Sequence, residues 1–200
     1  FIGFAGNIGS GKTTFTRFIS KSQNWIPFYE PVSDNPYLED FYNDMPRWSF
    51  NLQVYFLHKR FEMHKKMSKL KTGVVQDRTI FEDKEIFAKN LYEMKKISKR
   101  DWENYSGLFS SMVSFLKKPD LVIYLKASTN VLLKRIQSRN RDFEKNVDPK
   151  YIRKLNAAYN RWVDKEKRYP ILTINTDNFN IYKDQQSFKK IENKILKTLL

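Results

Sequence analysis

An α/β fold, three layers deep with a central five-stranded parallel sheet flanked by helices, is predicted by three observations. Five short apolar runs, 1–5, 26–30, 73–77, 121–125 and 171–175, alternate with stretches of helical periodicity, and that alternation is how parallel sheets are built. A glycine-rich turn leads straight out of the first run into a helical stretch. The 200 residues contain no Pro/Gly/Ser-rich linker, composition break or internal repeat, so 1–200 reads as one domain with a substantial core.

The elements follow in order. The first run, Phe1 to Ala5, opens into the turn, and 12–22 reads as the helix behind it. After the run 26–30, helices are predicted over 37–43 and 47–70. The run 73–77 is followed by helices over 81–95 and 99–117, and the run 121–125 by one over 129–140. Asp148-Pro149 supplies an N-cap and a proline at the first helical position, which starts a helix over 149–168. The run 171–175 and a last helix over 184–200 complete the pattern.

The turn carries the chemistry. Gly6-Asn7-Ile8-Gly9-Ser10-Gly11-Lys12-Thr13 fits G-x-x-x-x-G-K-[ST] at every specified position, with Thr14 following. Glycines let backbone N–H groups converge on an anion, and the helix start adds partial positive charge. Lys12 is expected to reach the β- and γ-phosphates of a nucleoside triphosphate, and the Thr13 hydroxyl to ligate Mg²⁺. The motif names the nucleotide but not the acceptor.

Charge and composition restrict the setting. The net charge of +15 invites a nucleic-acid footprint, but the lysines are spread along the chain and fit solvated helix faces, with no recognisable nucleic-acid module. There is no cysteine, which excludes a disulfide scaffold and suits a reducing cytoplasm. No stretch approaches a membrane span, and no signal segment is expected ahead of the first strand.

In open parallel sheets, ligands gather beyond the carboxyl ends of the strands. The second run ends at Glu30-Pro31 and the third at Asp77-Arg78-Thr79. Glu30 can accept a proton from a substrate hydroxyl facing the γ-phosphate; a strand-end acid paired with arginine is the alternative. Asp77 can hold Mg²⁺ through water and Arg78 a substrate oxygen, against a structural ion pair. In 134–144, Arg135 and Arg139 lie four apart, so a helix puts both on one face, where they could meet phosphates or merely solvent.

The order and spacing of these fragments resemble the deoxynucleoside kinase family, and within it the small bacterial deoxyadenosine kinases. The likeness runs from Gly6 to about Phe179: the phosphate loop, Tyr29-Glu30-Pro31-Val32, Arg47-Trp48-Ser49-Phe50-Asn51-Leu52-Gln53, Asp77-Arg78-Thr79 leading into Asp83 to Leu91, and the arginine-rich segment. The family usually has Glu-Arg-Ser where this chain has Asp77-Arg78-Thr79, which keeps the acid on a shorter arm. The resemblance implies a P-loop kinase that uses ATP and Mg²⁺ on the 5′-OH of a deoxynucleoside, and a homodimer, with 47–70 and 99–117 as candidate interface helices. It makes Glu30 the general base, steadied by Arg78. Arg139 and Arg141 become residues of a lid at about 134–146 that closes on the triphosphate, while Tyr42 and Glu144 share the sugar 3′-OH.

Base recognition follows in part from side-chain chemistry. Gln53 presents a donor and an acceptor side by side, complementary to an adenine edge. Arg60 lies two turns along the same helix, and Asp83 and Phe87 lie one turn apart on another. Phe87 would stack on the base while Asp83, held by Arg60, accepts from an exocyclic amine; a core phenylalanine beside a buried ion pair is the alternative. In the family, Arg and Asp at these positions accompany purine-accepting sites, so deoxyadenosine is expected, with deoxyguanosine and deoxycytidine as lesser substrates. Asp177 and Phe179, in the loop after the fifth run, are candidate contacts for the adenine of ATP. A nucleoside monophosphate kinase would need a second phosphate-binding set, and a polynucleotide-binding ATPase would bind nucleic acid tightly.

Overall fold

The structure, a computed structural model, describes residues 1–30, 32, 35–182 and 184–199. Pro31, in the motif after the second run, and Leu200, at the end of the last expected helix, lie outside the described residues.

Five strands form one sheet: β1 (Ile2–Ala5), β2 (Ile26–Phe28), β3 (Val74–Asp77), β4 (Leu121–Lys126) and β5 (Ile171–Asn175). Their order is β2-β3-β1-β4-β5, every pair parallel, as the alternation predicts. β1 is central and buried throughout, and every one of its residues is apolar or glycine. β4 shows why both faces of the sheet are covered. Leu121, Ile123 and Leu125 face a core shared with Phe15 and Ile19 of α1 (Lys12–Gln23), while Val122 and Tyr124 face the opposite, larger core. Period-two alternation thus distributes one apolar strand between two hydrophobic layers.

The larger layer is built from α2 (Leu38–Asn43), α3 (Met45–Met67), α4 (Ile80–Glu82), α5 (Lys89–Glu93), α6 (Lys99–Val113), α7 (Thr129–Arg139) and α8 (Pro149–Lys165). The last helix, α9 (Gln185–Leu199), covers the other face beside α1, with Ile195 in that core. Asp148 caps α8 by accepting from the Lys150 N–H at 2.7 Å, with Pro149 next, as the Asp-Pro pair predicts.

Several boundaries differ from expectation. α3 starts two residues early because Asp44 caps it, accepting from Arg47 N–H at 3.1 Å, and Pro46 sits in its first turn. β2 stops at Phe28, so Glu30 stands on the loop two residues beyond the strand. The expected helix 81–95 is α4, a π-helical stretch Asp83–Ala88, and α5, and the expected 99–117 stops at Val113.

Candidate active site

The carboxyl ends of the strands open into a cavity of about 1040 Å³, lined by the phosphate loop on one side and by Glu30, Tyr42, Gln53 and Phe87 on the other. The loop leaves β1 at Gly6 (φ 150°) and turns through Gly9 (φ 83°) and Gly11 (φ 98°). These angles are why glycine stands there. A Cβ on Gly6 would also sit 2.9 Å from the Leu125 carbonyl oxygen. Asn7 braces the loop, donating to the Ile152 carbonyl at 3.0 Å and accepting from Ile8 N–H at 2.8 Å.

Lys12 folds back and donates to the Asn7 carbonyl at 3.1 Å. Burial and the neighbouring Arg78 pull its pKa down to about 8, against the pull of Asp77 and Glu30. Thr13 donates its hydroxyl to Asp77 Oδ2 at 2.5 Å. Burial raises the Asp77 pKa despite Lys12, and its Oδ1 is buried with no partner among the described residues. A hydroxyl and an unspent carboxylate oxygen at the loop fit a hard, oxygen-seeking divalent ion.

Glu30 is the electrostatic centre. Its Oε1 accepts from Arg78 Nε at 2.9 Å and from Arg60 Nη2 at 2.7 Å. Burial opposes its ionisation, but Arg78, Arg60 and Lys12 outweigh burial and hold the pKa at about 2. Arg78 is presented from just beyond β3 in the left-handed region, φ 69°, a conformation that costs a β-carbon residue roughly 1–2 kcal/mol. Its guanidinium lies 4.3 Å from the Phe87 ring centroid.

Arg60 does more than hold Asp83. Its Nε donates to Asp83 Oδ1 at 2.9 Å, the pairing expected from the sequence, while Nη2 reaches Glu30. Asp83 and the candidate general base therefore share the one guanidinium of Arg60. Arg60 and Asp83 stand behind the cavity wall, whereas Gln53 and Phe87 are in it. Asp83 Oδ2, Arg60 Nη1 and Gln53 Oε1 are all buried without a partner among the described residues. Burial raises the Asp83 pKa to about 7, with Arg60 restraining the rise.

The arginine-rich segment expected to form a lid departs most from expectation. Arg139 is bonded through both Nε, at 2.6 Å, and Nη2 to the two oxygens of Glu144, which lies in a 3₁₀ turn (Asp142–Glu144). Arg141 stands 3.9 Å from the same carboxylate. The acid expected to hold the sugar is thus paired with the arginines expected to hold phosphates. Arg135 shares the helix face with Arg139, but its guanidinium is engaged elsewhere, donating to Thr176 Oγ1 at 3.2 Å and to the Thr176 carbonyl at 2.5 Å. It ties α7 to the loop after β5. Tyr42 lines the cavity, and burial together with Glu144 raises its pKa. Asp177 accepts from Ser128 N–H at 2.6 Å, and Phe179 packs on Phe15 at 5.5 Å. Both line the cavity, as do Thr14 and Ser10.

Sequence reasoning missed Glu82 and Tyr159. Glu82 forms a capping box with Thr79 and is fully buried. The pattern Thr79-x-x-Glu82 was the available signal. Tyr159 donates to Glu82 at 2.6 Å and accepts from Arg78 at 2.6 Å; a tyrosine on an amphipathic helix gives no such signal.

Among the described residues no helix is long and apolar enough to cross a membrane. The chain is 36% identical over 193 residues to the deoxyadenosine/deoxycytidine kinase of Bacillus subtilis (strain 168), covering 96% of this chain and 89% of that one. It is 41% identical over 179 residues to the deoxyadenosine kinase of Dictyostelium discoideum, covering 89% and 73%. Among solved structures, the deoxyadenosine kinase from M. mycoides with dCMP and a flexible dCDP bound superposes with a TM-score of 0.87 at 29% identity, over 96% of this chain and 98% of that one. Residues 2–200 match the family described as deoxynucleoside kinase. With that match joined to a glycine-built phosphate loop facing an arginine-clamped carboxylate, the chain belongs to the deoxynucleoside kinase family.

Proposed function

We propose that this protein transfers the γ-phosphoryl group of ATP to the 5′-OH of a deoxynucleoside, with deoxyadenosine preferred and deoxyguanosine and deoxycytidine as lesser substrates. The observation that carries the substrate reading is the set of buried polar atoms left over in and just behind the cavity wall. Asp83 Oδ2 is an acceptor, Arg60 Nη1 a donor and Gln53 Oε1 an acceptor, and none has a partner among the described residues. Unpaired buried polar groups are costly, and an aminopurine edge offers the complementary donors and acceptor. Phe87 and Gln53, in the wall beside them, supply the stacking face and the orienting carboxamide.

Glu30 is ionised at neutral pH and fixed by two arginines. Its carboxylate accepts the hydrogen bond of the 5′-OH. The oxygen attacks the γ-phosphorus, the bond to the β-phosphate oxygen breaks, and the hydroxyl proton moves to Glu30. A pKa near 2 makes this a weak base, which suits phosphoryl transfer, where positioning and charge stabilisation do most of the catalysis. Lys12 and the loop N–H groups hold the donor phosphates. Arg139 and Arg141 join them once released from Glu144, which then binds the 3′-OH with Tyr42. Thr13 and Asp77 would hold Mg²⁺, which supplies neutralising charge at the β- and γ-oxygens when bound.

A chain without cysteine loses nothing in a reducing cytoplasm, the compartment we propose. We also propose a homodimer through α3 and α6. Leu108 on α6 and Phe115 just beyond it are 44% and 83% exposed, which supports that face as the interface; sedimentation equilibrium tests it.

The deciding experiment presents purified protein with ATP and each of deoxyadenosine, deoxyguanosine, deoxycytidine, thymidine and adenosine. The expected result is 5′-monophosphate formation, fastest with deoxyadenosine. No nucleoside phosphorylation, together with tight salt-dependent polynucleotide binding, would overturn the proposal.

A further inference from the structure

Glu82 closes α4 with no solvent exposure and has no part in the mechanism above. Its Oε1 accepts from the Thr79 N–H at 2.8 Å and the Thr79 hydroxyl at 3.3 Å. That capping box explains one oxygen only. Oε2 turns toward the reaction centre, accepting from the Tyr159 hydroxyl at 2.6 Å and from the Gly6 N–H at 3.3 Å, with Arg78 Nη1 3.7 Å away.

The proton arrangement is forced by chemistry. A guanidinium only donates and a carboxylate only accepts, so the Tyr159 hydroxyl must accept from Arg78 and donate to Glu82. Burial, joined by the charge of Glu82, raises the tyrosine pKa and keeps that proton in place. The Tyr159 ring is held independently, stacked on Tyr124 at 5.6 Å and edge-on to Trp162. Two sides of the Arg78 guanidinium are thereby fixed, Nε by Glu30 and Nη1 by Tyr159. A helix cap on its own does not need a fully buried charge, whose desolvation must be offset by a partner. Here the nearby cation is Arg78.

We propose that Glu82, acting through Tyr159, is a positioning residue that joins Arg78 on the acceptor side to Gly6 at the root of the phosphate loop, so that attacking and transferred groups are held at one separation. The inference rests on the kinase reading above. It adds to that reading a pair of residues that touch neither substrate.

The test compares wild type with Tyr159→Phe, Glu82→Gln and the double variant, measuring melting temperature together with kcat and both KM values for ATP and deoxyadenosine. Phenylalanine keeps the ring contacts and removes only the relay; glutamine keeps the Thr79 cap and removes the charge. Each single variant is expected to lose about tenfold in kcat, the weight of one hydrogen bond to a charged group, with both KM values nearly unchanged. The double variant is expected to be no slower than the slower single, as befits one unit. A Tyr159→Phe enzyme with wild-type kcat and a lowered melting temperature would overturn the proposal, leaving the network purely structural. Effects that multiply in the double variant would overturn it as well. Should Glu82→Gln fail to fold, Tyr159→Phe decides alone. Wild type without nucleoside kinase activity would reject the kinase reading before any variant is compared.

Discussion

Replacing Asp83 by asparagine removes a charge without changing the shape of the side chain, and the structure sets both the size and the sign of the effect. Burial lifts the carboxyl from an ordinary 3.8 to about 7, with Arg60 pulling back. The folded protein therefore binds this proton more tightly than the unfolded chain does. Between about pH 4 and 7 the folded state carries the extra proton, so this group's contribution to stability falls as pH rises through that window. At about 1.4 kcal/mol per pH unit, ionised Asp83 costs up to about 4 kcal/mol above pH 7. Asparagine resembles the protonated form and escapes that cost, while Arg60 keeps its bond to Glu30. Urea unfolding of both proteins from pH 4.5 to 8 is expected to show nearly equal stability at the acid end and the variant increasingly favoured toward pH 8. Substrate choice should move with the same proton. Protonated Asp83 can donate to the oxo group of deoxyguanosine, and ionised Asp83 can only accept from the amine of deoxyadenosine. The ratio of kcat/KM for deoxyguanosine over deoxyadenosine is expected to rise about fivefold as pH falls through 7, the value of one net hydrogen bond, and to stay flat in Asp83→Asn. Identical pH slopes in the two proteins, in stability and in substrate ratio, would refute the reasoning.

Glu30→Gln should lower kcat by about 10²–10⁴-fold, and it should also destabilise the fold, because Arg60 and Arg78 both lose a carboxylate partner; wild-type turnover in steady-state assays would reject Glu30 as the base. Tyr42→Phe should weaken recognition of the sugar by about 0.5–1.5 kcal/mol, a loss that a 3′-deoxy substrate should not show when kcat/KM is compared for the two. Lys12 has a pKa lowered to about 8, so its charge is lost as pH rises through 8, and affinity for a non-hydrolysable ATP analogue should fall over the same range. Because the unfolded chain holds that proton more tightly, Lys12 adds stability as pH rises from about 8 toward 10. Calorimetry at pH 8.5 should find proton uptake on nucleotide binding that Lys12→Arg does not show.

What the sequence disclosed depended on how locally each feature is encoded. The phosphate loop is legible because eight consecutive residues impose its geometry, and the parallel sheet because apolar runs recur at regular intervals. Bonds between long side chains on separate elements are not legible in this way. The same-face rule placed Arg135 and Arg139 on one side of α7, but nothing in the spacing indicates that Arg135 reaches Thr176 while Arg139 reaches Glu144. The Arg60–Asp83 pair is expected from the sequence either as a base contact or as a buried ion pair, whereas the bond from Arg60 to Glu30 crosses thirty residues and comes from the end of a side chain. It also changes how the pair should be tested, since removing Arg60 alters Glu30 as well as the base pocket. Glu82 was readable as a helix cap, and only folding reveals that its second oxygen serves the active site.

The π-helical stretch Asp83–Ala88 has a consequence for how this chain tolerates insertion and deletion. Such a stretch holds more residues per turn than an α-helix, so removing one residue from it would leave a regular and locally more comfortable helix. Phe87 would turn about the helix axis relative to Asp83, because the wider turn that sets their spacing would be gone. Phe87 would leave the cavity wall while Asp83 remained beside Arg60, and the stacking surface would part from the hydrogen-bonding edge. Secondary structure would score such a change as an improvement, yet the pocket would lose its alignment. The length of this segment is therefore expected to be held by the nucleobase more firmly than by the stability of the helix, and to tolerate substitution better than any change in residue count.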